Sequence, residues 1–351
     1  MSLIQTRIIR NWFVCAGFVH QDNLGGNGGV KAALGGNRRV AARLQRLLVL
    51  LALPAVLMAG CASPPSGPPT ALGTSPLVVG DNGVPVVKKP LKIGLALGGG
   101  AARGFAHVGV IAVLEEAGLR PQVLVGTSAG SLVAALYASG KTTAQLQQTA
   151  LNMEEVAITD WMLPIFGRGM FRGDALARYV NDLVAGRLME NMAIPLGIVA
   201  TDLNSGQAVL FQRGDTGLAV RASSAVPAVF VPVKINGREY VDGGLVSPVP
   251  VRFARQMGAE VVIAVDISSP PEANSASDTL QILLQTFAIM GKSINQYELR
   301  DADVVVRPSQ VGLKSADFSA RQRAIDAGRT AMLAALPALR AKLAIPRPPV
   351  H

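Results

Sequence analysis

Three histidines, two cysteines and a 5% share of aromatic residues are what this 351-residue chain has least of. Cys15 and Cys61 cannot build a disulfide framework or a multi-cysteine metal site. His20, His107 and His351 are too few for a histidine-rich metal site. Charged residues are also sparse, at 16% against 50% hydrophobic. That balance supplies a sizeable core and confines disorder to the ends. The formal net charge of +10 invites a nucleic-acid reading, but its distribution argues otherwise. Seven of the 33 basic residues and one of the 23 acidic residues precede Cys61, so +6 of the charge lies there. The remainder has no dense basic block with interleaved aromatics, and nucleic acid is not an expected partner.

The basic segment leads into an apolar run, Leu47 to Met58, preceded by Arg38, Arg39, Arg43 and Arg46. The run is short for a bilayer span and is followed by small residues, the layout of a cleaved signal. Leu57-Met58-Ala59-Gly60-Cys61 resembles a bacterial lipobox, in which the cysteine is acylated and becomes the mature N-terminus. Methionine three places before Cys61 is less usual than leucine there. A buried helix with an inert cysteine fits poorly, because Ala-Ser-Pro-Pro-Ser-Gly-Pro-Pro-Thr follows and cannot continue a helix. The expectation is an extension and signal over residues 1–60, a tether over 61–88 and a catalytic domain over 89–345. Ala62 lacks the aspartate that commonly retains enteric lipoproteins in the inner membrane, so the expected place is the outer membrane, facing the periplasm. Residues 1–37 are long and glycine-rich for a signal; initiation further in, for example at Val40, would account for them.

From about Lys89 strands alternate with helices, which argues a mainly parallel sheet with helices on both faces. Strands are expected at Leu91–Leu97, Val123–Val125, Pro195–Thr201, Ala208–Gln212, Arg238–Val241, Val261–Asp266 and Val304–Arg307. Helices are expected at Val108–Ala117, Ser131–Ser139 and Arg321–Leu343, with Gly140 closing the second and a turn at Asn204-Ser205-Gly206.

Gly126-Thr127-Ser128-Ala129-Gly130 has the G-x-S-x-G spacing of a nucleophile elbow, with a strand before it and a helix after it. The turn is too crowded for side chains on its flanks. It lifts the Ser128 hydroxyl beside the positive end of the next helix. Alone, the pattern is a modest signal. The run Gly98-Gly99-Gly100-Ala101-Ala102-Arg103-Gly104 ends the first strand and opens a helix, so its amides face any negative charge placed there. It reads as an oxyanion hole, with Gly98, Gly99, Gly100, Ala101, Arg103 and Gly104 forming the loop and the Ala129 amide assisting. A dinucleotide loop fits less well: the glycine spacing is one residue too long, and no clear acidic residue ends a second strand.

A serine nucleophile needs a base. His351 is the last residue, and the helix carrying His107 directs it away from the elbow. A carboxylate is the better candidate, and Asp242 in Tyr240-Val241-Asp242-Gly243-Gly244 follows an expected strand. Alone, that Asp-Gly reads more simply as a hairpin turn.

Taken together, Gly98–Gly104, Gly126–Gly130, Arg221-Ala-Ser-Ser-Ala-Val-Pro227 and Asp242-Gly-Gly244 resemble, in order, the blocks of the patatin-like phospholipase family. The resemblance spans about Leu91 to Ala254. It implies a three-layer α/β/α sandwich and a Ser128–Asp242 dyad with the oxyanion loop. It also implies hydrolysis of acyl esters of phospholipids or lysophospholipids, with no metal or organic cofactor. No motif position departs from the family pattern, and the compact chain is similar to the branch related to neuropathy target esterase. An acyltransferase would share the acyl-enzyme; a non-catalytic envelope lipoprotein would use the pocket only to bind lipid. Arg103 is expected to brace its loop rather than meet a lipid phosphate. Asp160–Phe171, with Trp161, Phe166, Met170 and Phe171, and Leu280–Met290, with Phe287, read as core packing or as a lipid-facing surface. The expected membrane contact is the lipid anchor at Cys61.

Overall fold

The computed structural model describes residues 90–153, 160, 168–268, 278–309 and 318–344, together with 78–79 and 85–86. Pro90 opens the unit that holds the site, and residues 20–89 form a separate one. In that separate unit Val78–Val79 pairs antiparallel with Pro85–Val86, inside the stretch expected to be a tether. The intervening Asn82-Gly83 is a hairpin signal that bulk composition hides.

The main sheet has eight strands: β1 (Ile93–Leu97), β2 (Val123–Thr127), β3 (Leu196–Asp202), β4 (Ala208–Phe211), β5 (Val233–Ile235), β6 (Arg238–Asp242), β7 (Val261–Val265) and β8 (Val304–Val306). Strands β8, β7, β1, β2 and β3 lie in that order and are parallel. Strands β4 and β6 pair antiparallel with β3, and β5 pairs antiparallel with β6. Every residue of β1, β2, β3 and β7 is buried, as a sheet covered on both faces requires.

The helices are α1 (Ala106–Glu116), α2 (Ala129–Ala138), α3 (Thr143–Asn152), α4 (Asp174–Leu183), α5 (Thr216–Ser223), α6 (Val251–Gln256), α7 (Thr279–Glu298) and α8 (Arg321–Ala344). The pleat divides the sheet's side chains between two helical layers. Leu95, Leu97, Leu124 and Ile263 pack with Ile111 of α1, Ala134 of α2 and Ile325 of α8. Ala96, Val125, Val199 and Ala264 pack with Val251 and Phe253 of α6 on the other side. Each buried aliphatic side chain contributes roughly 1.5–3 kcal/mol. The result is the expected three-layer α/β/α arrangement. Helices α1 and α8 touch backbone to backbone: a Cβ at Gly109 would collide with the Ile325 carbonyl, and one at Gly328 with the Ala106 carbonyl.

The ends of the strands and helices expected above differ from the observed ones by no more than two residues. The largest shift is informative: β2 continues to Thr127 and α2 begins at Ala129, so Ser128 alone makes the corner. Helices α3, α4, α5 and α6 were outside the sequence reading. So was a small parallel pair, Gly169–Phe171 with Ala228–Phe230. No described helix is long and apolar enough to cross a membrane.

Strand β4 runs along one edge of β3, opposite Ile198 to Thr201. The other edge is shared end to end: β2 pairs with residues up to Val199, where Thr127 sits, and β6 takes over at Ala200, where Asp242 sits. Two strands running in opposite directions therefore finish against each other on adjacent residues of β3.

Candidate active site

Ser128 leaves the end of β2 with φ 52° and ψ −124°, a left-handed backbone that costs an L-residue on the order of 1–3 kcal/mol. Its carbonyl accepts the Ser131 amide at 2.8 Å and the Ser131 hydroxyl at 2.6 Å, which starts α2. The flanking glycines are required by close approach. A Cβ at Gly126 would strike the Gly130 carbonyl, and one at Gly130 would strike the Leu97 carbonyl.

Asp242 meets Ser128 across the junction between β2 and β6, where the Ser128 side chain favours the ionised form of its carboxyl. The Gly244 amide donates to Asp242 Oδ1 at 2.7 Å. The Asp242 main chain is held at both ends: its amide donates to the Ala225 carbonyl at 3.0 Å, and its carbonyl accepts the Thr201 hydroxyl at 2.8 Å. After Asp242 the chain forms a single 3₁₀ turn, Gly243–Leu245, rather than the hairpin that Asp-Gly suggests in isolation. Ser128 and Asp242 are 9% and 7% exposed. Burial pushes the Asp242 carboxyl up to about 6, while the hydrogen bonds from Ser128 and Gly244 pull it down.

The glycine loop lies directly against the elbow. A Cβ at Gly99 would sit 3.1 Å from Ser128 Cβ, and one at Gly104 would sit 2.8 Å from Ala129 Cβ. The loop does not offer all its amides, however. Gly98 N–H donates to the Val265 carbonyl and Gly99 N–H to the Pro248 carbonyl, each at 3.0 Å. The expectation of oxyanion donors from Gly98 and Gly99 is corrected accordingly: strand-end geometry engages both. Arg103 is also turned away from that role. Its buried Nε donates to the Ile267 carbonyl at 2.8 Å, which ties the loop to the segment after β7. Desolvation lowers its guanidinium to about 10, and Asp266 partly restores it. Ala101 takes φ 51° at the exposed tip of the loop.

His107 is fully buried and lies behind the loop, with Nε2 2.8 Å from the Gly98 carbonyl. A carbonyl can only accept, so the Nε2–H tautomer is present. Burial lowers the imidazole to about 4, against the Gly98 hydrogen bond and Asp266. It is a neutral support for the loop.

Sequence reasoning did not assign a task to the stretch from Arg221 to Pro227, and the structure does. Ser223 Oγ accepts the Ser128 amide at 2.8 Å and donates to the Val199 carbonyl at 2.6 Å. Two residues on, the Ala225 carbonyl holds the Asp242 amide. One short segment therefore fixes both halves of the pair. Arg221 anchors it from outside through the Arg172 carbonyl and Asp174.

A second support comes from α7. The Ser247 carbonyl accepts the Thr127 hydroxyl at 2.9 Å, and the Ser247 amide donates to the Gly243 carbonyl at 2.9 Å. The Ser247 hydroxyl donates to buried Glu298 at 2.7 Å. Burial raises the Glu298 carboxyl, with Ser247 and Arg252 opposing.

Of the aromatic loop, Phe171 is core, packed on Phe230 with ring centroids 5.5 Å apart. Trp161 and Phe166 lie outside the described residues, as do Cys61 and the segment before it. Among the described residues no group of His, Cys, Asp and Glu side chains could hold a metal ion.

Residues 95–255 match the family model for patatin-like phospholipase. An NTE family protein of Mycobacterium tuberculosis is 36% identical over 188 residues, covering 53% of this chain and 52% of the relative. The human patatin-like phospholipase domain-containing protein 6 is 31% identical over 230 residues, 64% of this chain and 16% of that protein. The chain thus spans about half the length of the mycobacterial relative. Among solved structures, VipD from Legionella pneumophila superposes with a TM-score of 0.47 at 15% identity, covering 76% of this chain and 70% of that one.

Proposed function

We propose, from the match of residues 95–255 to the patatin-like phospholipase family model, that this chain is a lipid acyl hydrolase working through an acyl-Ser128 intermediate. The observation that carries the reading is buried Ser128, at the end of β2, brought by the sheet register beside a buried carboxylate that desolvation raises to about 6. A base of that strength is ionised at neutral pH and still accepts a proton in the transition state.

In the proposed cycle Asp242 accepts the Ser128 proton as Oγ attacks the ester carbonyl of a phospholipid or lysophospholipid. The oxyanion is met by amides of Gly100 and Ala101 in the loop and of Ala129 at the head of α2, where the helix dipole adds to them. Each such donor typically lowers the barrier by about 3–4 kcal/mol. Collapse of the tetrahedral intermediate expels the alcohol, which takes the proton back from Asp242. Water, deprotonated by Asp242, then attacks acyl-Ser128, and fatty acid leaves with Ser128 reprotonated. The strained φ of Ser128 favours this function, because it holds Oγ in one place before substrate arrives.

The layout around Cys61 supports a lipid-anchored form of the enzyme in the bacterial envelope, with the outer membrane facing the periplasm as its proposed place. The test of the activity is fatty-acid release from a panel of phospholipids and lysophospholipids by the purified chain. Ser128→Ala should abolish release while leaving the circular dichroism spectrum unchanged; retained turnover refutes the assignment.

A further inference from the structure

Helix α7 is unlike the other helices of the domain. Of its twenty residues only Asn295 and Glu298 are buried, although the sequence Leu280-Gln-Ile-Leu-Leu-Gln-Thr-Phe-Ala-Ile-Met290 is strongly apolar. Four of the eight large hydrophobic side chains exposed among the described residues lie on it: Ile282 at 56%, Ile289 at 51%, Met290 at 47% and Tyr297 at 67%. Between Asp278 and Glu298 its single charged residue is Lys292. A solvated helix would carry charge on that face.

The apolar stripe leads somewhere. Positions 282, 289 and 296 fall within about 20° of one line along the helix, with 292 beside it. Lys292, Asn295 and Gln296 form part of the wall of a cavity of about 530 Å³, completed by Leu299, Arg300 and Arg307 and by Asp266 and Ser268. Among the described residues the charged groups of its wall are Lys292, Arg300, Arg307 and Asp266, with Arg307 3.5 Å from Asp266 and Arg300 5.0 Å from the Tyr297 ring centroid. The same helix is fastened to the site. Ser247 binds Glu298, and a Cβ at Gly291 would rest 3.6 Å from Pro248, next to the turn after Asp242.

We propose that this face of α7 seats the enzyme on an anionic lipid surface, with Ile282 and Ile289 entering the acyl region and the Lys292–Arg300–Arg307 cavity taking phosphate headgroups. The occupant follows from the order of the chemistry along one face. Apolar side chains pass directly into a cation-lined cavity, which is the order of acyl chains and phosphates in a leaflet. The choice of a lipid rests on the proposed hydrolase reading, and the surface would deliver substrate beside Asp242.

The test uses the full chain with Trp12→Phe and Trp161→Phe, adding Ile289→Trp in one sample and Leu333→Trp in another. Leu333 is 52% exposed on α8 and serves as the control. With vesicles of phosphatidylglycerol and phosphatidylcholine, the Ile289→Trp chain should shift its emission to the blue and be quenched by brominated acyl chains. The Leu333→Trp chain should do neither. Adding Lys292→Glu and Arg300→Glu should weaken the quenched population roughly tenfold. Equal quenching of both reporters, or none at position 289 while the chain sediments with vesicles, overturns the proposal. So does a blue shift that grows with protein concentration without lipid, which would assign the face to a second copy. The readout is position, not turnover. A Ser128→Ala chain should behave alike, so failure here and failure of the nucleophile assignment are separate results.

Discussion

The Ser223 hydroxyl accepts a hydrogen bond from the Ser128 amide at 2.8 Å and donates one to the Val199 carbonyl at 2.6 Å. This bridge, buried and 95 residues distant in sequence, holds the strained elbow at the point where β2 ends. Ser223→Ala leaves a buried donor and a buried acceptor unpaired, at a cost of about 1–3 kcal/mol in urea unfolding. Because the elbow then relaxes, kcat should fall about 10- to 100-fold with KM little changed. An unaltered kcat would remove Ser223 from the positioning of Ser128.

Asp242 makes stability depend on pH with a defined sign. Its folded pKa of about 6 lies above the ordinary 3.8, so the folded state holds the proton more tightly. The associated stability is present below pH 3.8 and is lost as pH rises through 6, by up to about 3 kcal/mol. Asp242→Asn carries no such titration. Its stability relative to wild type should therefore climb between pH 4 and 6.5 and exceed wild type above pH 7, although the variant should be inactive. A pH-independent difference in urea midpoints would contradict the burial argument.

His107 acts in the opposite direction. Its folded pKa of about 4 lies below 6.5, so the unfolded chain takes up the proton first. Stability is present above pH 6.5 and is lost toward pH 4, at about 1.4 kcal/mol per unit. His107→Gln can still donate to the Gly98 carbonyl and should remove this acid sensitivity. It should also keep at least about a tenth of kcat, since the ring supports the loop and takes no proton from Ser128. A loss as deep as that of Asp242→Asn would make His107 the base.

The central parallel strands were legible because they are buried, largely aliphatic runs ended by glycine or a polar residue, as in Ile93–Leu97 and Val261–Val265. The Ser128 elbow was legible for the same local reason. Helix α3 could have been found from its capping box, Thr142 with Gln145, and α5 from the Asp215 cap on the Leu218 amide. Two features had no local signal. The sharing of one β3 edge by β2 and β6 depends on register between distant strands. The engagement of the Gly98 and Gly99 amides depends on carbonyls of Val265 and Pro248 that only the folded sheet brings near. Ser223 was marked by resemblance alone, and only its geometry explains it.

The most direct test of the central claim is the rate at which a fluorophosphonate modifies the chain as a function of pH, with the adduct located by peptide mass spectrometry. The adduct should be on Ser128, and its rate should rise with pH to a plateau with a midpoint near 6, the value to which burial raises Asp242. Asp242→Asn should reduce the plateau by orders of magnitude. Modification of another residue, or a rate on Ser128 indifferent to Asp242, would contradict the dyad.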